Sequence, residues 1–378
     1  MNEQEKKLIL GNKLILKPNV SDAFKKNMSI RTAYGFEAMD LPAEAVEVVL
    51  CSTVNKNTCV QKLLSNPNKY YLLLDEHHFE TMSALVFLFY LFGFHDLKKE
   101  IMEIITKPFM KTPQKRLAHM KTQLQAENSL LEGNATFAYS LVQKLANYEI
   151  TEDDYKGKAG ALDYNWFCLK LRRHDIANAY IMNFYVFHEL AHIKMDFDTR
   201  LSSYYHSLVH MQVNQLAGFV RAINPNVVDT SLLPLEDIAC DTYALDLLFK
   251  FINANTGDYN FEFMVEAYLV AVSNNTLLNS IKEHTIGKID FRKICWWRVF
   301  IALEILCLLH DHKIDFCDGI REAREVAKNK YDNYLEYMES NFSNSIIIPE
   351  TEKEKYSQLS EQWEEEVEAT LAIIREIY

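Results

Sequence analysis

Glycine and proline are scarce in this sequence, with 10 and 8 occurrences among 378 residues. Hydrophobic residues make up 49% of the chain and charged residues make up 24%. This combination excludes collagen-like, low-complexity and wholly disordered proteins. It indicates a helix-rich globular protein, long enough for two compact domains or for one domain with a large extension.

Long apolar runs, paired cysteines and an excess of positive charge are also missing. The most apolar stretches, residues 82–94 and 294–309, are too short or too interrupted by charge for a membrane span, so we predict buried core helices. The seven cysteines include no C-x-x-C pair, and residues 1–18 lack the apolar stretch of a signal peptide, which favours the cytoplasm. The net charge of -12 disfavours a nucleic-acid partner. The composition does not indicate an oligomeric state.

Strand signals are few and lie early in the chain. Residues 7–10 and 13–16 flank Gly11-Asn12 in the pattern of a hairpin, and residues 70–74 form a short apolar run after turn residues. From residue 83 onward, apolar periodicity predicts helices. We therefore predict an α+β, predominantly helical fold. Its expected parts are a mixed N-terminal region (1–150), a central region (151–270) and a C-terminal helical region (271–378).

The pattern H-E-x-x-H occurs once, at His188, Glu189 and His192, inside an apolar run. On a helix, residues i and i+4 share one face, so both imidazoles can bind one zinc ion while the carboxylate serves as a general base. A chain of this composition would contain two His at this spacing with either Asp or Glu after the first by chance about one time in twenty, and with Glu alone less often. A pair of core histidines is the alternative, but it leaves Glu189 without a cation one helical turn away.

A third ligand must come from elsewhere, because catalytic zinc has three protein ligands. The segment 235–248 predicts a second helix that begins with Glu236 and Asp237. Asp237 and Asp241 share one face, so Asp237 could bind zinc while Asp241 accepts a hydrogen bond from a ligand imidazole. An ordinary amphipathic helix with acids near its N-terminus is the other interpretation.

The two segments together resemble gluzincin-type metallopeptidases, especially the ImmA/IrrE-like and Lit-type phage-exclusion peptidases. The resemblance covers residues 176–248, and in the second helix it rests on Asp237, Cys240, Asp241, Tyr243, Ala244, Leu247 and Leu248. It implies a zincin-like catalytic core in residues 151–270, with residues 1–150 serving for regulation or substrate binding. It also implies a Zn²⁺ cofactor and cleavage of a cytosolic protein partner in phage defence, stress response or repressor control. These families have Glu as the third ligand, whereas the register here gives Asp237, with Glu236 as the alternative.

Other residues complete the predicted site. Tyr243, Tyr204, Tyr205, His206 and His210 are candidates for stabilising the oxyanion. Cys168 or Cys240 as a nucleophile would need a histidine partner that the sequence does not place. We predict a zinc-dependent endopeptidase. The alternative is a catalytically silent zincin-fold protein that serves as a helical interaction or sensor protein.

Overall fold

The structure is a computed structural model that describes residues 19–53, 58–63, 66–90, 164–223, 233–256, 261–282 and 291–343. These residues form a mostly helical fold with one small sheet, as the sequence predicts. The strands are β1 (Val46–Cys51), β2 (Cys59–Leu63) and β3 (Asn66–Asp75), and a short 3-10 helix (Ala43–Ala45) precedes β1. The helices are α1 (Asp22–Met39), α2 (Glu76–Tyr90), α3 (Tyr164–Phe197), α4 (Thr199–Ile223), α5 (Leu235–Thr256), α6 (Phe261–Lys282), α7 (Phe291–Leu309) and α8 (Ile314–Ser343).

The sheet has the order β1-β3-β2, with β1 parallel and β2 antiparallel to β3. The central strand β3 contains the predicted strand 70–74, which is confirmed. Its residues from Tyr71 to Leu74 have no exposed surface, because alternate side chains enter two different apolar clusters. A strand covered on both faces has an unbroken apolar sequence, which explains why its signal was clear. The predicted hairpin at 7–16 lies outside the described residues.

Helix α3 is the centre of the molecule. It contacts β2, β3, α1, α2, α4, α5 and α6. From Ile181 to Ile193 most of its side chains are buried, on every side of the helix. A helical segment that is buried all round is held by its neighbours, so packing fixes the directions of the buried side chains from Ile181 to Ile193.

One hydrophobic cluster extends from Val20 before α1 to Tyr334 in α8. The run 294–309 lies in α7, where Val299, Leu303 and Leu306 are fully buried, and confirms a predicted core helix. Residues 82–90 lie in the buried helix α2, and 91–94 are outside the described residues. No helix among the described residues combines the length and apolarity that crossing a membrane requires. The division at residues 150 and 270 stays a prediction.

Candidate metal centre

His188 and His192 lie one turn apart on α3, and their rings meet edge to face. The two Nε2 atoms are 3.3 Å apart, and the ring planes are at 89° to each other. Two nitrogens that each bind a tetrahedral zinc ion at about 2.0 to 2.1 Å are roughly 3.3 to 3.4 Å apart. The separation of the imidazoles therefore fits a shared metal ion.

Helix α5 brings a carboxylate to this pair. Oδ1 of Asp237 lies 3.8 Å from Nε2 of His192. His188, His192 and Asp237 each offer one donor atom, and the three atoms lie within 4.8 Å of one another. Two imidazoles and one carboxylate are a donor set that zinc prefers in hydrolytic enzymes, so these residues fit the ion that the motif implies.

Glu236 lies on the other side of the same histidine. Its Oε1 is 3.4 Å from Nδ1 of His192, and its side chain is 75% exposed. Sequence alone left Glu236 and Asp237 open as third ligand. The structure brings Asp237 to the Nε2 atoms that face each other. It places Glu236 against the opposite nitrogen of His192, where its carboxylate can accept a hydrogen bond from the Nδ1–H group.

Asp241 follows Asp237 by one helical turn and supports His188. Its Oδ1 is 2.8 Å from Nδ1 of His188, and the residue has no exposed surface. Burial alone would raise the pKa of Asp241, but the charge of Arg298 and the contact with His188 lower it well below its ordinary value. The negative charge of Asp241 beside Nδ1 favours the tautomer of His188 with its proton on Nδ1, which leaves Nε2 as the electron-pair donor.

Arg298 in α7 is part of this arrangement, and sequence reasoning missed it. Its guanidinium donates to Asp241 through Nε at 2.6 Å and Nη2 at 2.9 Å, and to Oδ2 of Asp237 through Nη1 at 2.8 Å. Tyr268 adds a hydrogen bond to Oδ2 of Asp241 at 2.8 Å. A usable signal was present, because Arg298 interrupts an apolar helix, and a buried cation requires anionic partners.

Glu189 lies beside the metal-ligand face and borders an open groove. Burial raises the pKa of Glu189 to about 7, against the opposing effects of His188 and of a hydrogen bond from the backbone N–H of Val60. The negative charge of Asp237 acts in the same direction as burial. A carboxyl group with a pKa near neutrality can both accept and return a proton, which is the property of a general base.

The groove in front of Glu189 has a volume of about 780 Å³. Strand β2 forms one wall, and Lys62 on this strand contacts both Asp196 (2.9 Å) and the hydroxyl of Tyr70 (3.0 Å). Tyr70 in turn donates a hydrogen bond to Asp196. The sequence did not point to these three residues. Further lining residues come from α3, α4, α5 and α6, among them His188, His192, Ser202, Asp237, Cys240 and Asn275.

The five oxyanion candidates are distributed over different environments. His206 lines the groove. Tyr205 and Tyr243 are buried and pack against each other with ring centroids 5.3 Å apart, and burial raises the pKa of Tyr243 to about 12. Tyr204 and His210 are exposed. The structure thus brings His206, and not the other four, to the wall of the groove.

Cys240 lies close to the histidines, with Sγ 3.4 Å from Nδ1 of His192. Burial raises the pKa of the Cys240 thiol far above its ordinary value, and nearby carboxylates raise it further. A cysteine nucleophile acts as the thiolate, so this environment suppresses the reactive form. Cys168, the other candidate nucleophile, lies in α3.

No protein-family model, curated protein or solved structure matches this chain. The function must therefore be inferred from the donor atoms, their supports and the groove.

Proposed function

We propose that the protein is a zinc-dependent endopeptidase with a zincin-like core. The observation that carries this proposal is the set of three donor atoms of His188, His192 and Asp237 within 4.8 Å, on the wall of a groove shared with Glu189. Two further features support it. Asp241 and Glu236 lie against the Nδ1 atoms of the two histidines, as partners of metal-binding imidazoles commonly do.

The expected chemistry follows from the side chains around the groove. When bound, zinc supplies a Lewis acid that polarises the scissile carbonyl and lowers the pKa of a water molecule. Glu189 accepts a proton from the attacking water and later delivers it to the leaving amine. Of the five oxyanion candidates, His206 is the one that lines the groove, and an imidazole can donate a hydrogen bond to an oxyanion.

Strand β2 offers a backbone on which a peptide could extend. The N–H of Val60 points toward Glu189, so the N–H and C=O groups of Val60 and Lys62 face the groove, while those of Gln61 face β3. A substrate in extended form could add to this edge by backbone hydrogen bonds. Such binding suits a peptide bond within a protein, and the resemblance to phage-exclusion peptidases suggests a cytosolic protein partner in phage defence, stress response or repressor control.

The proposal is tested by comparing the wild type with Glu189→Gln. Both proteins should bind one zinc ion, because the substituted residue is not a ligand. New N-termini are then identified by chemical labelling of a cytosolic lysate treated with each protein. We expect cleavage by the wild type and a loss of about 10²- to 10⁴-fold in the variant.

Two outcomes would contradict the peptidase. Equal cleavage by both proteins would remove Glu189 from the chemistry. Stoichiometric zinc without any cleavage by the wild type would favour the catalytically silent interaction or sensor protein.

A further inference from the structure

Arg298 connects the two carboxylates of α5 that support the metal centre. Its three N–H contacts, all between 2.6 and 2.9 Å, are shared by Asp237 and Asp241. We propose that Arg298 is a positioning residue for the metal. It binds Oδ2 of Asp237 so that Oδ1 alone is presented to the ion, and it fixes Asp241, which orients His188. This inference rests on the proposed function.

Neutralisation of the buried carboxylate of Asp241 does not explain all of these contacts. Asp241 is fully buried and needs a cation, and Arg298 together with Tyr268 satisfies it. The side chain of Asp237, however, is 38% exposed, so water could solvate its second oxygen without help from Arg298. The contact from Nη1 satisfies the buried guanidinium, but solvation of Asp237 does not require it, and the contact restricts rotation of the Asp237 carboxylate about its Cβ–Cγ bond.

This restriction has a chemical consequence at the metal. An aspartate can bind a metal through one oxygen or through both, and it can also turn away. With Oδ2 held by a guanidinium, one-oxygen binding is favoured, which keeps coordination positions open for water and substrate. The side chain of Asp237 is also one methylene shorter than the Glu of the families that the motif resembles. A shorter side chain can reach the ion from fewer orientations, so restricting its orientation is more important.

The test uses the full-length protein and three variants. Arg298→Gln removes the charge and most of the N–H donors of the guanidinium. Arg298→Lys keeps the charge, but its single ammonium group cannot span both carboxylates. Arg324→Gln is the matched control. The Arg324 side chain is 11% exposed against 10% for Arg298, and it pairs with Glu304 on α7, outside the groove-lining residues.

Two properties are measured: the zinc dissociation constant by competition with a chelator, and the visible absorption spectrum of the protein loaded with Co²⁺ alone. We expect Arg298→Gln to bind zinc about 10- to 100-fold more weakly. Its cobalt bands should lose intensity, because additional oxygen ligands move the ion away from tetrahedral geometry. Arg298→Lys should fall between the wild type and Arg298→Gln, and Arg324→Gln should match the wild type in both properties.

The outcomes separate the inference from the proposed function. If Arg298→Gln melts at a lower temperature, as Arg324→Gln should, but keeps the wild-type zinc affinity and cobalt spectrum, Arg298 is purely structural and the inference is overturned while the metal centre stands. If Arg298→Gln does not fold, Arg298→Lys decides, and wild-type values for both properties overturn the inference. If the wild type holds no zinc, the inference fails together with the proposed function.

Discussion

At the scale of single residues, Asp237 and Glu236 are neighbours whose carboxylates lie against different nitrogens of His192. We expect Asp237→Ala to lose zinc and peptidase activity together, because it removes one of three protein ligands. Glu236→Ala should keep stoichiometric zinc, with an affinity lowered by at most about 10-fold through the loss of its contact with Nδ1. Elemental analysis of the purified variants, followed by chelator competition, measures both effects.

The same experiment can contradict the geometry. Zinc loss in Glu236→Ala with zinc retained in Asp237→Ala would transfer the ligand role to Glu236. If neither substitution changes the zinc content, α5 does not contribute to the site.

The sequence indicated those site residues that are close together in the chain. His188 and His192 are one helical turn apart, so their spacing alone predicts a shared face, with Glu189 beside it. Arg298 is 57 residues from Asp241 and 61 residues from Asp237. No local pattern specifies such a distance, and only its presence in an apolar helix indicated that it needs partners. The choice between Asp237 and Glu236 also depended on the packing of α5 against α3, which a periodicity does not determine.

At the scale of elements, strand β2 forms one wall of the groove, and in the proposed function it pairs with the substrate. We expect Lys62→Pro to raise KM for a peptide that spans a cleavage site found in the lysate, because proline removes the N–H that faces the groove. Lys62→Ala is the control for the lost ammonium group. KM for the proline variant should be about 2- to 10-fold higher than KM for the alanine variant, because one backbone hydrogen bond contributes about that much to binding. Both variants should keep zinc.

Equal KM values for the two Lys62 variants would mean that the substrate does not pair with this edge.

Strand β2 was not predicted from the sequence, and the reason is physical. All of its side chains are partly or fully exposed, so it lacks the alternation of a half-buried strand. The groove could not be predicted from the sequence for that reason, whereas the buried strand β3 was predicted.

The packing of α1 against α3 gives another test at this scale. A Cβ atom added to Gly35 would overlap Cδ1 of Leu190, the residue that follows Glu189, whereas one added to Gly218 in α4 would meet nothing. Both glycines lie inside helices, so alanine should gain similar helix propensity at each. We expect Gly35→Ala to be less stable than Gly218→Ala by about 1 to 3 kcal/mol, from overpacking. Urea unfolding followed by circular dichroism measures the difference.

A similar free energy of unfolding in the two glycine variants would show that Leu190 can move aside without cost. It would also mean that the position of the H-E-x-x-H segment is less constrained by α1 than the contact suggests.

At the scale of the whole molecule, the sequence correctly predicted a mostly helical fold with little sheet. Composition was sufficient for this, since few glycines and prolines interrupt the apolar periodicity. Composition does not predict which helices share the hydrophobic core. Met28, Leu190 and Tyr334 belong to one cluster, so α1, α3 and α8 are held in one apolar core, although they come from different parts of the predicted division.

The extent of this core leads to a final expectation about metal removal. The cluster from Val20 to Tyr334 is built from apolar side chains and contains no metal ligand, so the fold should not depend on zinc, unlike that of a zinc finger. Treatment with a chelator should leave the far-ultraviolet circular dichroism unchanged. Zinc at one hundred times its dissociation constant should then raise the free energy of unfolding by about 2.7 kcal/mol, because it binds the folded state alone. Glu189→Gln should show the same rise, and His188→Ala should show none. Loss of the helical signal on chelation would make the metal a structural element, and a zinc response in His188→Ala would place the ion at another site.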